Sequence, residues 1–261
     1  MPENLLLRAL PSEERRRLSP FLKLVDLPVD LRLIDPEVPI KYVWFPHDAI
    51  ASTIQSMSDG LTIEVGMTGM EGMVGIPAWL GIRTTSLRCI IQVPGQASRM
   101  RLDLFRREVC EQPSPLNGLI ASYIHTYMVI VAQKVACNCL HDVDQRLCRW
   151  LSMMAERLPD KDTFPLRQEF LAYMLGVHRP TVSVAAEGLQ RQGLIRYSRG
   201  HLQILDRDGL RARSCECYEV ISRQLHQMLS ISPDSESRGT AFANRGSTLR
   251  RGGKVKIAAR V

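Results

Sequence analysis

The sequence predicts an α+β chain with a β-rich N-terminal half, one long helix and a helical C-terminal region that closes on a β-hairpin. Three observations predict it. Residues 20–112 hold short apolar runs broken by Pro, Gly and Asp, the texture of closely spaced strands. From Ser114 to Cys139 the breakers stop after Gly118, and apolar side chains recur at helical intervals. The stretch "LGVHRPTVSV", Leu175 to Val184, sets a glycine bend and a proline between two helical patterns.

The first part opens with "SEERRRLSPFLK", a short helix with Ser12 as its N-cap. The runs "VDLPVDLRLIDP", "KYVWFPHDAIASTIQSMSDGLTIEVGMTG" and "LRCIIQVPGQASRMRL" follow, with "IRTTSLRCIIQV" β-rich throughout. They suggest a sandwich or barrel. In the long helix, Leu116, Leu119, Ile120, Tyr123, Ile124, Tyr127, Ile130, Val131 and Val135 form a wide stripe. A helix apolar on more than one side packs against two things. The β-domain supplies one, and a symmetry-related copy of the same helix supplies the other, giving a two-fold dimer. The alternative is a helix buried within its own chain. Then "DVDQRLCRWLSMMAERL" places Val143, Leu147, Trp150, Leu151, Met154 and Leu158 on one face. The expected divisions are 1–113, 114–140, 141–230 and a tail, 231–261.

Within the third part a helix runs from about Arg167 to Leu175, with Phe170, Leu171, Met174 and Leu175 inward. Gly176 supplies the left-handed backbone of a C-cap. A second helix runs from His178 or Arg179 to about Gln192, with Val182, Ala185, Ala186 and Leu189 inward. Pro180 falls in its first turn, where a backbone N–H has no intrahelical partner. Ala172 is small where the helices cross. Beyond Gly193, Leu194–Tyr197 and His201–Leu205 flank "SRG", a hairpin with glycine in the turn. This is a winged helix-turn-helix. Its second helix fits the DNA major groove and offers its N-terminal residues to base edges. Arg179 suits bidentate recognition of guanine. His178, Thr181 and Ser183 are short polar groups for phosphates or bases, Gln168 at the start of the first helix joins them, and Arg199 on the wing meets the backbone.

Composition is that of an ordinary globular protein, 45% hydrophobic and 23% charged over 261 residues. The start "MPENLLLRAL" carries Glu3 and Arg8 and is not a secretory signal. The longest apolar run, "YMVIVA", is too short to cross a bilayer, so the expected location is the cytoplasm, with no membrane partner. Residues 231–261 carry seven basic and two acidic side chains, a net +5 of the chain's +7. The high pI is therefore mostly a property of this tail, read as a disordered extension with weak attraction to nucleic acid. None of the seven cysteines forms a CxxC pair. On helices, the members of "CNC" and "CEC" would point roughly 200° apart and not chelate one ion unaided. His141 in "CNCLH" is a third ligand candidate, but no metal is assigned, and reduced free thiols are expected. GxSxG, HExxH, phosphate-loop and dinucleotide motifs are absent, so a non-enzyme is expected.

From about residue 5 to 230 the chain resembles the Crp/Fnr family of bacterial transcription regulators. The resemblance is most specific in "RQEFLAYMLGVHRPTVSVAAEGLQRQGLI", in "GMEGMVGIPAWLG" and in the order barrel, long helix, winged helix. It implies an antiparallel β-roll sensor (a jelly roll, or double-stranded β-helix), a dimerising helix and a DNA-binding head. It also implies a homodimer on pseudo-palindromic double-stranded DNA, with RNA polymerase as a further partner. By the same resemblance Gly72, Gly75, Arg83 and Thr84 are candidate effector-binding residues. The family's ribose-holding glutamate falls at Met73, which cannot usefully accept a hydrogen bond, and this argues against cyclic AMP. The family's N-terminal iron–sulfur cysteines are missing. No cofactor is evident; haem or another small effector stays open, with His47 and His125 either as haem ligands or as ordinary histidines. Val184 stands where some members carry a second base-reading arginine. The expected function is a dimeric, sequence-specific transcription regulator of unknown effector. The alternative is a sensor or scaffold of the same fold without specific DNA binding.

Overall fold

Alternating apolar and polar residues fold the N-terminal half of the computed structural model into two antiparallel sheets. The structure describes residues 3–230, so the basic tail lies outside it. After α1 (Leu5–Arg8) and α2 (Ser12–Leu18), the strands are β1 (Lys23–Leu27), β2 (Arg32–Ile34), β3 (Tyr42–Pro46), β4 (Ile50–Ser56), β5 (Thr62–Thr68), β6 (Arg88–Val93) and β7 (Gly95–Arg101). One sheet has the order β1-β7-β3 and the other β2-β6-β4-β5. Val43, Phe45, Ala51, Ile91, Ala97 and Met100 fill the core of the roll and are inaccessible to solvent. The short helices α3 (Ile76–Trp79) and α4 (Leu102–Phe105) close its edges. Two expectations need correction. Ser12 is the first residue of α2, and Pro11 holds the cap position without a side-chain bond. Residues 82–87 are loop, and the strand starts only at Arg88. The carbonyls of this loop, Arg83 O and Thr85 O, accept from Ile40 N and Glu37 N.

The long helix α5 (Pro115–Leu140) is 26 residues long and begins with proline in its first turn. By length and composition it is apolar enough to cross a bilayer. Its contacts are those of a packed helix: Tyr123 is buried and bonds Thr68 Oγ1 at 3.0 Å. Lys134, also buried, reaches Glu64 Oε1 at 2.7 Å. Burial pulls the Lys134 pKa down, and the Glu64 carboxylate opposes that shift.

The C-terminal part comprises α6 (Val143–Arg157), β8 (Thr163–Pro165), α7 (Gln168–Leu175), α8 (Arg179–Arg191), β9 (Ile195–Ser198), β10 (His201–Ile204), α9 (Arg207–Arg213) and α10 (Cys217–Ser230). All six expected apolar residues of α6 and its end, from Val143 to Leu158, join one apolar cluster. Ile50, Met67 and Val93 of the roll join the same cluster, so the head is packed onto the roll. Arg157 Nε meets Glu71 Oε1 across that boundary at 2.9 Å, with both side chains buried. Removing one member of such a pair strands the other charge away from water. Glu71→Ala is therefore expected to lower unfolding free energy by about 3–5 kcal/mol in urea denaturation, whereas an apolar replacement of both residues restores most of it. A single variant within 1 kcal/mol of wild type, an order-of-magnitude bound for surface pairs, would show that the pair is not buried in solution.

Candidate nucleic-acid interface

The helix-turn-helix is set by backbone geometry first. Gly176 has φ +61° and ψ +41°, and its N–H closes the end of α7 on Ala172 O. Arg146 Nη1 donates to Leu175 O at 2.9 Å, which satisfies a last-turn carbonyl. His178 is the residue before α8, and its carbonyl accepts from Thr181 N at 3.0 Å. Pro180 is the second residue of α8, as its missing donor permits. Val182, Ala185, Ala186 and Leu189 are buried against α7 and α6.

That burial turns the opposite side of α8 outward. His178, Arg179 and Thr181 are exposed at its opening turn, and Ser183 is half-buried. Gln168 Oε1 accepts from Arg179 Nε and from Ser183 Oγ, each at 3.3 Å. These three expected residues thus form one bonded group, with Arg179 braced against the first helix. Val184 is 66% exposed on the same surface. On the wing, Arg199 (φ +50°) and Gly200 (φ +77°) form a two-residue turn, with Ser198 paired to His201. Arg199 is exposed at its tip, away from the Gln168 group. The sequence did not signal a third strand here. β8 pairs with β10, His201 opposite Pro165, and makes the wing a three-stranded sheet. Tyr197 Oη donates to Leu166 O at 2.6 Å, and burial pushes its phenol above the usual pKa.

The effector candidates are dispersed. A cavity of about 510 Å³ lies between β-roll and α5, lined by Met73, Gly75, Ile76, Leu87, Ile124, Tyr127, Met128 and Val131 among others. Of the four candidates only Gly75 lines it. Arg83 is exposed, and Thr84 is half-buried outside the lining. A Cβ on Gly72 would run into the Tyr123 ring, so the missing side chain makes room for the long helix. Met73 is buried. His47 has both ring nitrogens engaged, Nδ1 with Asn4 N at 3.0 Å and Nε2 with Ser98 Oγ at 2.9 Å, and burial lowers its pKa. His125 is exposed on α5.

The cysteines depart from expectation in one respect. Cys137 and Cys139 diverge as a helical pair must, one buried and one exposed. Cys215 and Cys217 do not, because Cys215 precedes α10, in the turn between α9 and α10, and both are buried.

A β-roll, a long helix and a winged helix-turn-helix follow one another in that order. Residues 145–213 match the profile of the Crp-like helix-turn-helix domain. No curated protein matches the chain. Among solved structures, the chain is similar to a CRP-family transcriptional regulator from Thermus thermophilus, at 14% identity and TM-score 0.60 over 74% of this chain and 96% of that one. It is also similar to the c-di-GMP-responsive global regulator CLP of Xanthomonas campestris, at 15% identity and TM-score 0.59 over 75% and 100%. FixK2 of Bradyrhizobium japonicum follows at 14% identity and TM-score 0.57, over 74% and 98%. The chain has the fold of Crp/Fnr transcription regulators, and its head is a Crp-like helix-turn-helix, a DNA-binding unit.

The role of Gly72 as a packing position has a direct consequence. Gly72→Ala is expected to destabilise the protein by about 1–3 kcal/mol through overpacking against Tyr123. Thermal melts of Gly72→Ala with and without Tyr123→Leu check this: an unaltered melt in the single variant refutes the contact, and partial rescue in the double variant supports it.

Proposed function

We propose that the protein is a homodimeric, sequence-specific transcription regulator that reads DNA through α8. The observation that carries this reading is the exposed opening turn of α8, where Arg179 is braced by Gln168 on a winged scaffold. In this reading Arg179 meets guanine bidentately, His178, Thr181 and Ser183 serve phosphates or neighbouring bases, and Arg199 reaches the backbone beside the groove. Val184, a methyl-bearing side chain at a base-facing position, suits the C5-methyl of thymine. The functional divisions are a sensor over 1–113, a dimerising helix over 114–140 and a DNA-binding head over 141–230. RNA polymerase is the partner through which such a dimer would act.

Dimerisation is supported by a second feature of α5. Gly118, Ala121, His125, Met128, Ala132, Val135 and Cys139 are all exposed, at alternating spacings of three and four. This is the seam of a two-stranded coiled coil, with small residues that allow close approach. Met128 and Ala132 also border the 510 Å³ cavity, so a partner helix would cover its mouth. The lining is mainly apolar, and its one arginine, Arg88, is already paired with Asp35 at 3.1 Å. An apolar effector suits it better than a cyclic nucleotide.

Three outcomes test the proposal. Selection from random DNA yields a pseudo-palindrome with half-sites about 34–36 Å apart, and binding falls steeply with salt. Arg179→Ala loses about 1–3 kcal/mol on that site and relaxes one position, whereas Arg199→Ala weakens all sequences alike and lowers the salt slope by about 1. Recovery of no site by the wild-type chain supports the scaffold reading instead. Met128→Glu places like charges across the seam, and sedimentation should find monomers; an intact dimer removes α5 as the interface.

A further inference from the structure

Outside the DNA-reading surface and the cavity, four side chains converge at the junction of long helix and head. Cys137 and His141 stand one turn apart at the end of α5, Cys215 lies in the turn before α10 and Cys217 is the first residue of α10. The Sγ atoms and an imidazole nitrogen all lie within 4.8 Å of one another. The three thiols are buried and the His141 side chain is 15% exposed.

The spacing has a chemical meaning. A tetrahedral ion with metal–sulfur bonds of about 2.3 Å and metal–nitrogen bonds of about 2.05 Å sets its sulfurs about 3.8 Å apart and sulfur from nitrogen about 3.6 Å. Cys137 Sγ lies 3.4 Å from Cys215 Sγ, and Cys217 Sγ lies 3.6 Å from His141 Nδ1. The surroundings fit the same centre. His141 Nε2 sits 3.0 Å from Glu216 Oε2, the carboxylate–histidine arrangement that orients a metal-bound imidazole and leaves Nδ1 free to ligate. Gln133 Nε2 donates to Cys217 Sγ at 3.1 Å. Arg149 is buried beside Cys137 and Cys215 with no carboxylate partner among the described residues. Three thiolates, one neutral imidazole and a divalent ion sum to one negative charge, which Arg149 offsets.

We propose that Cys137, His141, Cys215 and Cys217 form a tetrahedral Cys3His site for a zinc-class divalent ion. The soft thiolates select zinc over magnesium or calcium. The ligand set is complete, so the site is structural and has no open position for a substrate. The ion joins residues 78 apart in sequence, and clips the end of α5 to the start of α10. The proposal does not depend on the DNA-binding reading.

The test is a metal titration of the full chain, reduced, stripped with chelator and kept anaerobic. Co(II) is expected to bind at one ion per chain with strong thiolate-to-cobalt charge-transfer absorption, and Zn(II) to displace it. Cys137→Ser and Cys215→Ser should each lose more than about 100-fold in affinity, beyond the second-shell range, and Glu216→Gln about 10-fold. Cys139→Ser, on the exposed face, should bind as wild type does. Wild-type protein should melt higher with Zn(II), and Cys215→Ser should not respond. Fully reduced wild-type protein that takes up no Co(II) overturns the proposal, whatever the variants do. Equal loss in Cys139→Ser overturns the ligand assignment. Iron with acid-labile sulfide in the anaerobically isolated protein overturns the zinc assignment.

Discussion

The packing of α5 constrains everything else in the structure. Two glycines of the roll exist to receive it: a side chain at Gly66 would overlap Tyr127, and one at Gly72 would overlap Tyr123. Two aromatic rings thereby lie directly on the sheet backbone and fix the rotation of the helix. About two turns beyond Tyr127, Lys134 enters the roll and is held by Glu64 at 2.7 Å. With rotation fixed on one side, the position of every other α5 side chain follows. The three- and four-spaced stripe from Gly118 to Cys139 has to face away from the roll, and Cys137 has to face α10.

The head inherits its position from the same helix. Only His141 and Asp142 separate α5 from α6, so α6 starts where α5 lets it. The head is then held against the roll at several points. Apolar residues of β4, β5 and β6 share a cluster with α6 and α7, and Arg157 finds Glu71 inside the boundary. At the rim, Lys161 meets Asp48 at 2.8 Å and Arg167 meets Asp30 at 2.6 Å. The rim pairs are partly or fully exposed, so solvent screens them, and the buried contacts dominate. Gly176 itself abuts Ile63 of β5; an added Cβ would lie 2.9 Å from the Ile63 Cδ1. The turn that sets the angle of α8 is therefore in contact with strand β5 of the roll.

The parts governed by local rules were legible in the sequence. The helix of Gln168–Leu175, the left-handed Gly176 and the start of α8 at Arg179 lie within a residue of expectation, because capping, proline placement and 3.6-residue periodicity act within a few residues. The long helix was legible for the same reason. Its exposed stripe was hidden, since a helix apolar on all sides has almost no directional pattern, and only burial separates the faces. β8 was hidden because three residues at a sheet edge carry no periodicity. The thiol cluster was hidden for a different reason. Reading "CEC" as helical sends its side chains apart, and only the non-helical turn at Cys215 lets them converge on Cys137. The effector candidates rested on resemblance to a nucleotide-holding segment. Here that segment serves packing, with Gly72 under Tyr123 and Met73 in the core.

Two contacts bear on how the head sits, one at the end of α6 and one at the end of α5. The Arg157–Glu71 pair holds the C-terminal end of α6 to the roll, and the Cys137–His141–Cys215–Cys217 group joins the end of α5 to the start of α10. A movement of α6 that draws Arg157 away from Glu71 breaks the inner ion pair. Breaking a buried pair costs about 3–5 kcal/mol, enough to make the alternative a minor population under one in a hundred. The cavity between roll and α5 reaches the surroundings of the first contact through Tyr127 and the neighbouring Tyr123, whose ring sits over Gly72 next to Glu71. The cavity and the cysteine group are physically separate, and α5 contributes side chains to both.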